Sequence, residues 1–99
     1  MTFDEYDNMV VTDENSEVRT VSFIDNMNIL EDALEQIVPK PLEDIRKDYD
    51  NKLDEYYEKG LYGKEIWSNL YLSYYVKRIK ELVQKNWDAV YAIVADDLK

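Results

Sequence analysis

The sequence predicts a mainly helical α+β fold, in which an amino-terminal β-hairpin packs on a bundle of three to four helices. Two short β-branched runs lie near the amino terminus, on either side of the turn-prone segment TDENSE. From residue 25 onward, apolar residues recur at helical spacing, and the two prolines and two glycines lie between the periodic stretches. The 99 residues suffice for one domain, 1–99. An all-α fold is the alternative.

The hairpin is predicted within residues 1–23, which are acidic. Its strands are the runs MVV and VRTVSF, because β-branched and aromatic residues favour strands. Alternation along the second run places Val18 and Thr20 on one side of the strand and Arg19, Val21 and Phe23 on the other. A two-stranded hairpin is marginal alone, so it must pack on the helices. Val21 and Phe23 are the expected core contacts.

The first helix is predicted over residues 25–38. Asp25 is a favourable N-cap residue, and Pro39 prevents the helix from continuing. Four apolar residues recur at helical spacing between them: Met27, Leu30, Leu34 and Ile37.

The second helix is predicted over residues 41–59, with Pro41 in its first turn. Glu43 and Asp44 would then lie near the positive end of the helix dipole. Gly60 and Gly63 end the helix in a turn. The apolar stripe of this helix comprises Leu42, Ile45, Tyr49, Leu53 and Tyr56.

The segment 64–97 contains no proline or glycine and predicts one long helix, or two joined by a bend near Asn86. One apolar stripe comprises Leu72, Val76, Ile79, Val83, Trp87, Val90 and Val94. A second stripe comprises Trp67, Tyr71 and Tyr74. A helix with two apolar faces is usually central, although the second stripe could instead be an exposed binding patch.

Composition excludes several classes of function. The chain contains no cysteine and no histidine, hence no disulfide, no thiolate nucleophile and no imidazole base or metal ligand. The segment DYDNKLDEYYE lacks the mid-loop glycine of a calcium site. We therefore expect a protein that is not an enzyme and holds no cofactor or metal. Without cysteine, a reducing cytoplasm is the expected location, in a bacterium or a phage-infected host cell.

No apolar run reaches the roughly 18 residues of a membrane helix, and the segment MTFDEYDNMV is acidic where a signal peptide is basic. The sequence therefore predicts no membrane segment. The formal net charge of −10 repels nucleic acid and anionic membranes and attracts basic surfaces. We expect a basic protein surface as the partner, specifically that of a nucleic-acid-binding protein or enzyme.

The basic segment YVKRIKELVQKNW mixes cations with aromatic residues, as some single-strand-binding surfaces do. Its charge is small against the total of −10, so direct nucleic-acid binding is not expected. Lys77, Arg78 and Lys80 are instead expected to pair with carboxylates of the second helix or of another subunit.

Acidic residues on the second helix are the leading candidates for a partner-binding face. Spacings of four, seven and three residues place four carboxylates on one face: Asp44, Asp48, Glu55 and Glu58. Tyr57 adds an aromatic contact, and Asp4, Glu5 and Asp7 form an auxiliary patch. The alternative is a solvated face with ordinary pairs four residues apart, Asp48 with Lys52 and Glu55 with Lys59.

The chain has nine tyrosines, a residue type that protein interfaces favour. Adjacent pairs such as Tyr56–Tyr57 and Tyr74–Tyr75 cannot both face one core, so at least two tyrosines should be partly exposed. This excess also favours a binding function.

These features predict a non-catalytic inhibitor or regulator that docks an acidic, tyrosine-bearing face onto the basic nucleic-acid channel of a host enzyme. The profile is similar to that of small phage or mobile-element inhibitors that imitate nucleic acid, a likeness of composition that carries no motif. The alternative is a small oligomerisation or adaptor module, including a homodimer, that binds through Trp67, Tyr71 and Tyr74.

Overall fold

The amino-terminal third of the protein forms a three-stranded antiparallel sheet. The computed structural model describes residues 1–61, 63 and 68–99. Its strands are β1 (Thr2–Phe3), β2 (Asn8–Thr12) and β3 (Val18–Ser22), in the order β1-β2-β3. The predicted hairpin is therefore confirmed as β2 and β3. The two residues of β1 are too short a run to produce a signal of alternation in the sequence.

Helices follow the sheet, so the fold is α+β and mainly helical, as predicted. They are α1 (Met27–Ile37), α2 (Pro39–Glu58), α3 (Lys77–Lys85) and α4 (Trp87–Val94). Residues 68–70 are helical and lead into a π-helical segment, Tyr71–Val76, which continues directly into α3. No helix in the described residues is long and apolar enough to cross a membrane.

The core lies between one face of the sheet and the helices. Val21 and Phe23 are buried there, as predicted, together with Met9 and Val11 of β2. α1 packs against both α2 and α4, and α2 packs against the π-helical segment and α3. The predicted stripe of α1 is confirmed, since Met27, Leu30 and Leu34 are buried and Ile37 is half-buried. The molecule measures 52 × 28 × 18 Å.

The start of α1 differs from the prediction, because Asp25 is not its N-cap. Asn26 precedes the first helical residue, and its side chain makes no cap hydrogen bond. Asn26 is only 2% exposed. Its Nδ2 donates to the carbonyl of Ser22 at 2.7 Å, and its Oδ1 accepts from the backbone N–H of Lys99 at 2.9 Å. The amide thus ties β3 to the carboxyl-terminal residues instead of capping the helix.

The start of α2 also differs, because the helix begins at Pro39 and only Val38 separates it from α1. Proline is tolerated at the first helical position, where its missing N–H has no intrahelical partner to lose. Glu43 and Asp44 consequently lie beyond the first turn, which holds no acidic residue. Their predicted interaction with the positive end of the dipole is wrong.

The predicted bend near Asn86 is confirmed, since Asn86 separates α3 from α4 with φ −113° and ψ 25°. The predicted apolar stripe that begins at Leu72 is wrong at that position, because Leu72 is 54% exposed. Tyr75 and Val76, by contrast, are buried. The reason is the π-helical segment, in which bonds from i to i+5 add a residue to the turn and rotate the preceding positions about the axis.

Candidate functional site

Two β-turns with the same geometry account for part of the acidic charge near the amino terminus. In the turn between β1 and β2, Oδ1 of Asp4 accepts hydrogen bonds from the backbone N–H groups of Tyr6 at 2.9 Å and Asn8 at 2.8 Å. Asp7, the fourth residue of the turn, has a positive φ of 62°. Aspartate is favoured at the first position of the turn, where Asp4 lies, because its short carboxylate reaches the backbone N–H two residues further along the chain.

The turn between β2 and β3 repeats this arrangement nine residues later. Oδ1 of Asp13 accepts from the N–H groups of Asn15 and Glu17, each at 2.9 Å, and Ser16 has a φ of 63°. The sequences DEYDN and DENSE thus form equivalent turns. Asp4 and Asp13 therefore stabilise the two turns at opposite ends of β2.

Contacts within the fold engage two of the three residues of the predicted auxiliary patch. Asp4 caps its turn, and Asp7 Oδ1 lies 2.7 Å from Nζ of Lys80 on α3. The Lys80 ammonium also lies 5.1 Å from the ring centroid of Phe3. Of the three patch residues, Glu5 is exposed and makes no ion pair within the described residues.

The first half of α2 carries carboxylates that are matched by cations. Three ion pairs involve them: Lys40–Asp44 at 3.1 Å, Lys47–Glu43 at 3.0 Å and Arg78–Asp48 at 2.6 Å. The hydrogen bond to Asp48 raises the pKa of Arg78, and Lys47 lowers the pKa of Glu43. The predicted pairing of Arg78 with the second helix is confirmed, whereas Lys80 pairs with Asp7 in the turn before β2 and Lys77 makes no ion pair within the described residues.

The second half of α2 is different. Four exposed carboxylates lie there, none in an ion pair in the part of the chain that is described: Asp50, Asp54, Glu55 and Glu58. We call these four residues together with Tyr57 the acidic end of α2. Tyr57 is 49% exposed. The last turn of the helix contains no basic residue.

Residue spacing places the acidic end largely on one face. Asp50, Asp54 and Glu58 are four residues apart, and Tyr57 follows Asp54 by three, so these side chains are neighbours on the helix surface. Glu55 and Glu58 belong to the predicted face, together with Asp44 and Asp48. All four lie on one uninterrupted helix, but only Glu55 and Glu58 are at its acidic end.

Asp50 and Asp54 were not among the predicted site residues. Their spacing to Glu58 is visible in the sequence. The ion pairs that distinguish them from Asp44 and Asp48 are not visible there, because those pairs depend on tertiary contacts or on side-chain rotamers.

A glycine fixes where this end of the helix stops. Gly60 has φ +72°, a left-handed conformation that side chains disfavour. Its N–H donates to the carbonyl of Tyr57 at 3.0 Å, and the N–H of Leu61 donates to that of Tyr56 at 2.9 Å. These two bonds define a Schellman motif. The predicted role of Gly60 is confirmed, and the motif gives the four carboxylates a defined position.

The tyrosines of the alternative interface are engaged within the fold. Tyr71 is half-buried, and its ring centroid lies 5.5 Å from that of Tyr75 and 6.2 Å from that of Tyr49. Tyr74 is half-buried, with Nζ of Lys52 4.8 Å from its ring centroid and Nη1 of Arg78 donating to its hydroxyl at 2.9 Å. Trp67 lies outside the described residues.

Because Lys52 lies over Tyr74, the pair between Asp48 and Lys52 that the alternative of a solvated face predicted is replaced by one between Asp48 and Arg78. Glu55 and Lys59 make no ion pair among the described residues either.

Burial changes the pKa values of the clustered tyrosines, which are Tyr49, Tyr71 and Tyr75. Desolvation raises the pKa values of Tyr49, Tyr71 and Tyr75 above the ordinary tyrosine value. Arg46 donates to the Tyr75 hydroxyl at 3.5 Å and to Glu31 at 2.9 Å. The Tyr49 hydroxyl is buried and has no hydrogen-bond partner within the described residues.

Beside the acidic end is an open cleft of about 390 Å³. Its described lining residues are Lys52, Tyr56, Leu61, Asn69, Leu70, Ser73 and Tyr74. This lining includes no carboxylate. Elsewhere among the described residues, no group of three or more acidic side chains is placed to hold a metal ion.

Comparison with known proteins gives no match: no family model, no curated protein and no solved structure matches the chain. The case for a function therefore depends on the geometry described above.

Proposed function

We propose that the protein is a non-catalytic inhibitor or regulator whose acidic end of α2 docks on the basic nucleic-acid site of another protein. The observation that carries this proposal is the group of four exposed carboxylates without an ion pair at the carboxyl end of α2. The other described acidic groups of α2 are matched by cations, and two of the three acidic residues of the first β-turn, Asp4 and Asp7, make contacts within the fold.

Charge spacing supports imitation of a nucleic-acid strand. Asp50 and Glu58 are eight residues apart, which is about 12 Å along a helix at 1.5 Å per residue. Four carboxylates within that length give, on average, one negative charge per about 4 Å of helix axis, close to the one phosphate per about 3.4 Å of axis in each strand of DNA. A groove that binds phosphates with lysines and arginines would find a similar line of charge on α2.

The position of these carboxylates on the helix supports a role in binding rather than in stability. The carboxyl end of a helix carries partial negative charge, so acidic residues in its last turn, here Glu55 and Glu58, are destabilising. Residues that oppose the local rules of folding are often retained for function. A cationic partner would relieve this repulsion. Carboxylates that destabilise the folded protein would therefore stabilise the complex.

Tyr57 supplies contact area beside the charge, since tyrosines are common among residues that dominate binding energy. The carboxylates would speed association and make it sensitive to salt. A cytoplasmic host enzyme that handles DNA or RNA is the class of partner that fits, and a phage or mobile-element origin is the corresponding setting.

The experiment that tests the proposal is affinity capture with elution by duplex DNA. The tagged protein is incubated with bacterial lysate, washed at moderate salt, and eluted with excess duplex DNA, and the proteins in each step are identified by mass spectrometry. We expect a DNA- or RNA-handling enzyme to leave the resin on addition of DNA. Captured proteins that all resist DNA would contradict the proposal.

An oligomerisation or adaptor module remains the competing proposal. It would require Tyr71 and Tyr74 to leave contacts that they make within the fold, which counts against it. Sedimentation equilibrium separates the two proposals, since a strong dimer would favour the adaptor and a monomer the inhibitor.

A further inference from the structure

We infer that the outer edge of β3 is a second docking surface, which accepts an extended basic segment of a partner protein as an added antiparallel or parallel strand. β3 is an edge of the sheet, because the strand order is β1-β2-β3. This surface lies on the sheet and does not depend on the acidic end of α2.

The hydrogen-bond register identifies the backbone groups that this edge offers. The N–H of Asp13 donates to the carbonyl of Glu17 at 2.9 Å, and β2 pairs Val11 with Arg19 and Met9 with Val21. Hydrogen-bonded pairs alternate along an antiparallel ladder. Arg19 and Val21 therefore bond to β2, whereas the residues between them direct their backbone groups outward.

Val18 and Thr20 are the residues whose outward N–H and C=O groups lack a hydrogen bond in the described part of the chain. At the next outward position, the carbonyl of Ser22 is occupied by the side chain of Asn26 at 2.7 Å. Val18 is 64% exposed and Thr20 is exposed, so neither is covered. This gives four backbone groups on the open edge.

Features that normally block strand addition are absent from β3. Natural edge strands commonly carry lysine, proline or a bulge. The sequence VRTVS contains no lysine or proline. Its arginine does not guard the edge, because Nη2 of Arg19 donates to the carbonyl of Leu98 at 2.7 Å.

Charge around the edge selects the chemistry of the added strand. Exposed carboxylates lie at both ends of β3, Glu14 and Glu17 before it and Asp25 after it. A segment with lysine or arginine near its ends would meet opposite charge. β-Branched residues between them would meet Val18 and Thr20 on the outer face of the sheet.

A second copy of this chain fits the edge less well. In an antiparallel pair centred on Thr20, Glu17 would approach the region of Asp25 in the other copy, and each copy carries a formal net charge of −10. Like charges placed opposite one another destabilise strand pairs. A basic strand from a different protein is therefore the occupant we propose.

The test begins with a displayed library of random linear heptapeptides, selected on the immobilised full chain at low salt. Selected sequences are synthesised and added to the protein, and amide hydrogen exchange is followed by NMR. We expect selected peptides rich in lysine or arginine and β-branched residues. At a peptide concentration 100 times Kd, exchange of the Val18 and Thr20 amides should slow about 100-fold. The exposed amides of Glu5 and Glu14 should stay fast.

Two controls tie the binding to backbone pairing. Thr20→Pro removes an outward N–H, which an edge strand tolerates, and should abolish peptide binding while the circular dichroism spectrum is kept. Should that variant unfold, methylating alternate amide nitrogens of the peptide removes its N–H donors to the outward carbonyls of Val18 and Thr20 without changing the protein, and should also abolish binding. The selection is repeated on the variant that neutralises Asp54, Glu55 and Glu58, which removes basic peptides held by the acidic end of α2, and peptides that bind the edge of β3 should still be enriched.

Several results would overturn the inference. They are a library that yields no binder, binders that leave the Val18 and Thr20 amides fast, and equal enrichment of acidic peptides. Slowing of the same amides by raising the concentration of the protein alone would show that a second copy occupies the edge instead. The docking of α2 is tested separately by the elution with duplex DNA.

Discussion

The two halves of α2 have opposite relations to their own charge. In the first half, each of the three carboxylates has a cation within 3.1 Å, and Leu42 and Ile45 are buried against the core. In the second half, the four carboxylates have no ion pair in the described residues, and Leu53 and Tyr56 are only half-buried.

This difference teaches that a count of acidic residues does not locate a binding surface. Acidic residues occur along the whole helix, yet cations from α2 itself and from α3 pair with the carboxylates of its first half. The carboxylates of α2 without an ion pair in the described residues lie in its second half, and the last turn adds the partial negative charge of the helix dipole. The first half packs on the core through Leu42 and Ile45, and the second half is the part that we propose a partner contacts.

The largest expected contrast is in packing. Leu42→Ala should lower the free energy of unfolding by about 2–5 kcal/mol, because it leaves a cavity in the core. Leu53→Ala should cost clearly less, because that side chain is already half exposed. Urea denaturation of both variants measures the difference, and equal losses would contradict the division of α2 into a packed half and a presenting half.

Arg46 tests the ion pairs of the first half. Arg46→Ala should cost about 1–3 kcal/mol, because it leaves the Glu31 carboxylate, whose side chain is 18% exposed, without its cation. Lys47→Ala removes only an exposed pair with Glu43 and should leave the urea midpoint nearly unchanged. A similar midpoint for both variants would show that the Arg46 contact is as weak as a surface pair.

Tyr49 lies at the boundary between the halves and tests the buried hydroxyl. Tyr49→Phe should be neutral or stabilise the fold by up to about 1 kcal/mol, since the hydroxyl has no described partner. Burial raises the pKa of Tyr49, so the folded state holds its proton more tightly than the unfolded state. The contribution of this group to stability is present below its unfolded pKa, about 10, and is lost as pH rises above it.

The variant should therefore lose less stability than the wild type as pH rises above about 10. Urea denaturation at several pH values checks this, and parallel losses in both proteins would show that the hydroxyl titrates as if solvated.

The smallest expected effect has opposite signs in the two halves. Glu58→Lys should stabilise the fold by about 0.3–1 kcal/mol, because it replaces a negative charge with a positive one at the carboxyl end of the helix. Asp44→Lys should instead destabilise the fold, because it places a second cation beside Lys40. Thermal unfolding at low salt measures both, and stabilisation by both variants would mean that net charge alone decides.

Elements with a strong period were predictable from sequence. The faces of α1 and α2 follow from apolar spacing, and Gly60 follows from the need for a left-handed residue after the helix. The equivalence of DEYDN and DENSE was also visible, because aspartate at the first position of each favours a capped turn. Asp4 accordingly accepts two backbone hydrogen bonds in its turn, a role that its predicted place in a binding patch does not include.

Other features have no local signal. The π-helical segment shifts the register of the residues before α3, so Leu72 faces solvent although its spacing to Val76 is helical. The contact between Asp48 and Arg78 joins residues 30 apart in the chain. Sequence spacing places Asp48 and Glu55 on one face, but only tertiary contacts separate a neutralised carboxylate from an available one.

The most direct test of the central claim compares two triple variants with equal net charge. One neutralises the first half of α2 by Glu43→Gln, Asp44→Asn and Asp48→Asn. The other neutralises the acidic end by Asp54→Asn, Glu55→Gln and Glu58→Gln. Each has a formal net charge of −7, three less negative than the wild type at −10. Each is used as bait in the affinity capture with elution by duplex DNA.

We predict that the first-half variant retains the nucleic-acid-handling enzyme eluted from the wild type, and that the acidic-end variant loses it while keeping its circular dichroism spectrum. Equal retention by both variants, or loss only from the first-half variant, would contradict the account.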